Sequence, residues 1–294
     1  MSRQFEIVGI RQLPETPSRQ KKKQYGGKPL FSVITLGVIV TGCLCAGWIS
    51  AKDPSYLDLQ HYNLPPDREF LFGTDTMGRD IFSMIWHGGR LSLFIGASST
   101  LISTVIAVIF GAVSGSAPAW LDGLLMRLAD IILSVPSLLL VIFLQAFLGK
   151  ANVFTISMVI GLTGWMSIAR VVRTEVRQIR GSEFVLASKC MGGGFFYVLW
   201  KDMAPDFMAS IMFMVVMNVR SAIVAESTLS FMGIGLPVEV ITWGSMLSLA
   251  EKALLTGSWW IILIPGLFLI ATLMCLTNIG NYLRGSGNRR CRNL

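Results

Sequence analysis

Six long apolar runs dominate this chain, and they leave few folds open. They occupy residues 30–50, 91–117, 124–148, 152–172, 207–234 and 259–283. A helix needs about 20 apolar residues to cross the hydrocarbon core of a bilayer. Inside that core each backbone N–H and C=O must be bonded within the protein, so a span is a helix or a strand of a closed barrel. These runs are continuous rather than alternating, which argues against a barrel. Only 14% of the residues are charged, against 53% apolar, a balance far from that of a soluble domain. The expected fold is an all-α polytopic membrane protein with six transmembrane helices.

Charge orients the spans. The formal charge of +8 is unevenly placed. Arg3, Arg11, Arg19, Lys21, Lys22, Lys23 and Lys28 precede the first run; Arg173, Arg177, Arg180, Lys189 and Lys201 follow the fourth; Arg284, Arg289, Arg290 and Arg292 close the sequence. Six spans put all three groups on one side, and positive loops stay in the cytoplasm. Both termini are therefore expected inside, with a basic tail at 1–29, a first helix at 30–50, an extracytoplasmic loop at 51–90, a core domain of five spans at 91–284 and a tail at 285–294. The outer loop is acidic: Asp53, Asp58, Asp67, Glu69, Asp75 and Asp80. The basic charge thus reads as topology, and no nucleic-acid partner is expected. Val40-Thr41-Gly42-Cys43 loosely fits a lipoprotein cleavage site. The basic stretch before it is long and five more spans follow, so a retained first helix is expected.

No catalytic or metal constellation stands out. Cys43, Cys45, Cys190, Cys275 and Cys291 are scattered and read as packing residues. His61 and His87 are not spaced as a metal pair, and both are placed in the outer loop with no nucleophile beside them. Met208, Met212, Met214 and Met217 suggest soft metal ligands, but adaptable packing suits them better. No G-x4-G-K-[ST] loop occurs; Gly149-Lys150-Ala151 lacks the spacing and the hydroxyl. The chain is read as a non-enzyme with no cofactor of its own.

Two features carry mechanism. Residues 183–205, EFVLASKCMGGGFFYVLWKDMAP, form a charged, glycine-centred segment between apolar spans. A helix is expected from Arg173 to Met191, broken by Gly192-Gly193-Gly194, then a second apolar helix over 195–200 with Pro205 opening the fifth span. Such a short helix and turn either lies on the membrane surface or docks into a partner's groove. Second, Asp130, Arg220 and Glu226 fall within apolar runs. Each costs about 2.5–3.5 kcal/mol facing lipid at a helix centre, so each is expected to face the bundle or a wet cavity. Arg220, Glu226, Ser227 and Ser230 are the candidates for a translocation route, against a structural pair or a bond to a neighbouring helix. Residues 238–260, with a short amphipathic helix at Trp243, Met246, Leu247, Leu249 and Ala250, either receive a partner or seal the bundle.

The 183–205 segment resembles the EAA loop of ABC-importer permeases, E-A-A-x3-G-x9-I-x-L-P. Ala187, Gly192 and Pro205 match at the right spacing, while Leu186, Ser188, Asp202 and Ala204 depart. Phe72-Gly73-Thr74-Asp75, Gly78-Arg79-Asp80-Ile81-Phe82-Ser83 and Arg90-Leu91-Ser92-Leu93 resemble the outer-loop signature of the peptide and nickel branch. Asp122, Met126-Arg127, Asp130 and Pro136, then 226–235, Trp243-Gly244-Ser245-Met246 and Pro265-Gly266, continue it. Gly280-Asn281-Tyr282-Leu283-Arg284 keeps only part of the usual G-D-x-L-R-D-x-L-D-P ending.

The resemblance covers residues 30–284 and is to the second permease subunit of oligopeptide, dipeptide or nickel ABC importers. It implies a type I importer fold with a cytoplasmic coupling helix, in the bacterial cytoplasmic membrane. It implies a homologous permease, two ATPase subunits that bind ATP and Mg, an extracytoplasmic substrate-binding protein and surrounding lipid. By the same resemblance Glu183, Ala187, Ser188, Gly192, Gly193 and Pro205 make the ATPase-coupling segment. The rival reading, an ion-coupled secondary transporter, needs its own ion site and usually an internal repeat, and no repeat is evident.

Overall fold

The computed structural model describes residues 29–50, 52–149, 151–194, 197–237 and 239–290. Most of the basic N-terminal tail and the last four residues, Cys291 among them, lie outside the described residues, as do Phe195 and Phe196. The fold is helical. The chain runs through α1 (Leu30–Leu44), α2 (Ala46–Ile49), a 3-10 turn (Leu59–His61), α3 (Ile81–Ser116), α4 (Ala119–Leu133), α5 (Ser137–Leu148), α6 (Val153–Gly164), α7 (Met166–Ile179) and α8 (Glu183–Cys190). A π-helical turn (Val198–Met203) leads into α9 (Ala204–Phe231), followed by α10 (Trp243–Ser248), α11 (Ala250–Leu255) and α12 (Trp260–Arg290).

Each apolar run lies on helix, but the runs do not make six straight spans. Among the described residues, three helices are each long and apolar enough to cross a bilayer: α3, the 210–231 part of α9, and the 260–285 part of α12. The pairs α4–α5 and α6–α7 qualify only as bent spans, turned by 87° and 45°, and α1 is a shorter apolar helix of 15 residues. The 87° bend falls at Ser134-Val135-Pro136. Pro136 has no N–H to continue the ladder, and it pushes its predecessor out of the helical region.

The outer loop is shorter than the sequence reading placed it. Asp80 caps α3: its carboxylate accepts from the Ser83 N–H at 3.0 Å and the Ser83 hydroxyl at 2.6 Å. An N-cap of this kind satisfies donors that a helix start leaves open. The helix therefore begins at Ile81, and His87 is a helix residue rather than a loop residue. Gly88 and Gly89 do not break it. A Cβ on Gly89 would sit 2.6 Å from Trp243 and from the Cys43 sulfur, so these glycines let other segments approach.

The loop signature has its own geometry. Asp75 accepts from the N–H groups of Met77 (2.8 Å) and Arg79 (2.9 Å) and from the Arg79 Nε at 2.7 Å. Gly78 stands at φ +76°, where a Cβ would lie 1.8 Å from the Asp58 carbonyl oxygen. The loop closes on the bundle through Trp260, whose indole N–H donates to the Thr74 carbonyl at 3.2 Å.

Three apolar clusters hold the bundle. An outer one joins α1, α3, α10 and α12 around Trp243, Ile85 and Met246. A middle one joins α3, α5, α6 and α9 around Ile95, Ile156 and Leu229. An inner one joins α3, α7 and the start of α9 around Val172, Val176 and Phe207. In lipid there is little hydrophobic drive between helices, so close packing through small residues decides which pairs form. Gly111 and Gly115 on α3 do this for α7, resting against the carbonyls of Ala169 and Arg173 and the side chains of Val172 and Val176.

Candidate functional site

The candidate residues fall into two sites at opposite ends of α9. At its N-terminal end, α7 and α8 are separate helices with a break at residues 180–182, not the single helix expected over 173–191. Gly181 falls in this break. α8 then runs from Glu183 to Cys190 and ends in the glycine turn, where Gly192 takes φ +86° with open space around it. The Gly193 N–H donates to the Ser188 carbonyl at 3.0 Å. A Cβ on Gly193 would lie 2.8 Å from that oxygen, so the turn needs glycine there as well. The expected second helix is instead a π-helical turn continuous with α9, and Pro205 lies in the first turn of α9.

One face of this hairpin is anchored. Val185 is fully buried, and it joins Val198, Leu199, Met203 and Phe207 in the inner cluster. Burying a side chain such as Val185 contributes about 1.5–3 kcal/mol relative to exposure. Ser188 is also buried. The other face is open: Glu183 and Ala187 are exposed, as are Phe184, Leu186 and Met191, the last at 82%.

An ionic clasp beside α8 has no local sequence signal. Asp122 at the start of α4 is 3% exposed. It accepts from the Ser114 hydroxyl at 2.6 Å, from Arg177 at 2.8 Å and, through both oxygens, from Arg173. Two turns further along α4, Asp130 pairs with Arg170. Arg180 donates to the Ser116 carbonyl at 3.1 Å. The α3–α4 corner is thus fastened to the helix that leads into α8. In the sequence Arg173, Arg177 and Arg180 mark only topology and Arg170 carries no signal, and a partner about forty to fifty-five residues away leaves no pattern to find. Of the two settings expected for Asp130, the bundle interior is not the one it takes: its side chain is 59% exposed beside Arg170.

Toward the C-terminal end of α9, Glu226 is completely buried. Its Oε1 accepts from the hydroxyls of Thr242 (2.8 Å) and Ser230 (3.0 Å), and its Oε2 lies 3.5 Å from those of Ser92 and Ser227. The Trp243 N–H donates to Ser92 at 3.1 Å, and its indole N–H to the Ile85 carbonyl at 3.0 Å. A Cβ on Gly244 would meet Ser227 Cα at 2.6 Å. Glu226, Ser227 and Ser230 therefore come together as a knot that ties α3, α9 and α10. The Thr242, Ser92 and Trp243 members were not identified as partners in the sequence.

Arg220 stands apart from that knot. Six residues from Glu226, it is displaced about 9 Å along the axis and about a third of the way round the helix. It makes no ion pair among the described residues, and its buried Nε has no hydrogen-bond partner. Its neighbour Asn218 donates to Ser103 on α3.

Comparison with known proteins places the chain among transport components. Residues 107–285 match the family described as binding-protein-dependent transport system inner membrane component. The dipeptide transport system permease protein DppC of Bacillus subtilis (strain 168) is 34% identical over 93% of this chain and 84% of its own length. The oligopeptide transport system permease protein OppC of the same organism is 37% identical over 88% and 83%. The di/tripeptide transport system permease protein DppC of Pseudomonas aeruginosa (strain UCBPP-PA14) is 32% identical over 90% and 88%. These findings give no support to nickel as cargo or to an ion-coupled secondary transporter.

Proposed function

The chain belongs to the family of binding-protein-dependent transport system inner membrane components, and from that premise we propose that it is one permease of a two-permease, ATP-driven peptide importer. As a permease subunit of this family it is a multi-pass membrane protein and not itself an enzyme. In the proposed assembly a second, homologous permease completes the pore. Two ATPase subunits bind ATP and Mg, and an extracytoplasmic binding protein delivers the peptide. Both termini and α8 face the cytoplasm.

The observation that carries this reading is the asymmetry of the α8 hairpin. Val185 and the π-helical turn fix it to the base of α3, α7 and α9, while Phe184, Leu186 and Met191 remain uncovered. An amphipathic helix with a free apolar face is suited to a groove on a partner. Glu183, Ala187, Ser188, Gly192, Gly193 and Pro205 are assigned to this contact and its hinge. When the ATPase pair closes, the push on α8 passes through the inner cluster and the Asp122 clasp to α3, α4 and α9. Those helices then tilt between inward- and outward-open arrangements. Coupling of this kind needs differential contacts in the two states, and the open face of α8 is where an ATPase supplies them.

Single cysteines at Phe184 and Leu186 test the assignment. Cross-linking in cells importing a labelled peptide is expected to capture an ATPase subunit. Deleting 192–194 is expected to abolish uptake and loosen ATPase retention. Uptake that continues while neither cysteine captures an ATPase refutes it.

A further inference from the structure

Resting on the peptide reading, we propose that Arg220, with Thr100 and Thr104 on the facing side of α3, is the subsite for the cargo's C-terminal carboxylate. Helices α3 and α9 run antiparallel in a register fixed by contacts. Ser92 meets Glu226, a Cβ on Gly96 would touch Ile223 and the Val219 carbonyl, and Ser103 accepts from Asn218. Thr100 lies one turn beyond Gly96, and Thr104 one turn further. The α6 side of α3 is occupied, since Ser99 and Ile102 meet Gly161. The α6 side of α9 is occupied too, since Asn218 meets Gly164, the last residue of α6. By helical rotation Thr100, Thr104 and Arg220 fall on the opposite, shared side.

The hydrogen bonding of this stretch is unusual. Ser99, Ser103, Thr163, Thr272 and Thr277 each donate to a carbonyl of their own helix, the ordinary resort of a hydroxyl inside a membrane. Thr100 and Thr104 do not. Their hydroxyl oxygens and the Arg220 Nε are three of the six buried side-chain polar atoms without a hydrogen-bond partner among the described residues. Thr100 is 3% exposed. Buried donors left open are expected to be taken up by something.

The neighbouring space says what kind of group fits. A cavity of about 930 Å³ opens beside them, lined by Ala97 and by Val219, the residue before Arg220. Its walls are mostly apolar. His87 and Arg90 stand in its lining, and among the described residues no Asp or Glu does. A guanidinium with hydroxyl donors, next to an apolar space lacking carboxylates, is complementary to an anion on an apolar body. A free peptide carries such an anion at its C-terminus.

The test uses the complete importer in liposomes. Uptake of a short apolar peptide and of its C-terminal amide is measured, each saturating the binding protein. In Arg220→Gln the acid-over-amide ratio is expected to fall by about 10- to 100-fold, as for loss of one charge-assisted hydrogen bond, with amide uptake within about twofold of wild type. The Thr100→Val/Thr104→Val pair is expected to lower the ratio partway, and Arg220→Lys to keep most of it. An unchanged ratio in Arg220→Gln overturns the proposal. So does equal loss of both cargoes in all three variants, which marks a structural role. Loss of a co-purifying anionic phospholipid in Arg220→Gln, with the ratio unmoved, overturns it in favour of lipid. A wild-type importer that takes up neither cargo removes the peptide reading itself.

Discussion

Adding one methyl group at Gly111 should loosen the joint between the coupling segment and the bundle. An ideal Cβ there lies 2.6 Å from the Ala169 carbonyl oxygen and 2.7 Å from Val172 Cβ, whereas ordinary contact begins at 3.4 Å. The helices must therefore part by about 0.8 Å, because one obstacle is backbone and the other a branched carbon that cannot swing aside. Overpacking of this kind costs about 1–3 kcal/mol. Gly123 on α4 is the control, since its Cβ would meet nothing within 4 Å. Alanine there brings only its helix propensity, up to about 1 kcal/mol of stabilisation. Thermal melting of the detergent-solubilised importer, followed by size exclusion, measures both. Gly111→Ala is expected to melt several degrees below wild type and Gly123→Ala at or above it. Gly111→Ala melting with wild type, or Gly123→Ala falling as far, refutes the packing argument. Because α7 leads directly into α8, Gly111→Ala should also lower the uptake obtained per ATP hydrolysed.

Glu226→Leu should destabilise the outer end of the bundle by about 2–5 kcal/mol, because it leaves the Thr242 and Ser230 hydroxyls without their acceptor in a closed site. Glu226→Gln, which keeps the shape and an acceptor oxygen, should lose less; equal melting temperatures for the two variants would contradict the knot. Asp122→Asn should weaken the clasp to Arg173 and Arg177 and reduce uptake more than ATPase activity, and the exchange Asp122→Arg with Arg173→Asp should recover part of the loss. Recovery no better than the worse single variant would count against a mechanical role. In the outer loop, the hydrogen bond from His61 holds the Asp58 carboxyl below its ordinary value of 3.8. A depressed pKa adds stability above the unfolded value that is lost as pH falls through the folded one, so amide protection at 58–61 should persist at neutral pH and fade below about pH 4. In His61→Gln that fading should begin at higher pH, which hydrogen exchange can follow.

The chain's own residues determined the class of fold. Runs of about 20 apolar residues must become helices wherever water is absent to bond the backbone, and Gly192 and Pro205 marked the turn and the start of α9 from local backbone preference alone. Local chemistry also placed Glu226 in a span and flagged it as costly. Tertiary structure decided what local chemistry leaves free. Whether an apolar run is one straight helix or two set at 87° depends on what the neighbours cover, so residues 124–148 read as a single span despite Pro136. The partners that Asp122, Glu226 and Asn218 find outside their own helices lie 8 to 134 positions away. A side chain is satisfied by whatever lies within about 3 Å in space, and that distance is fixed only when the glycines of α3 let α7, α9 and α10 close upon it.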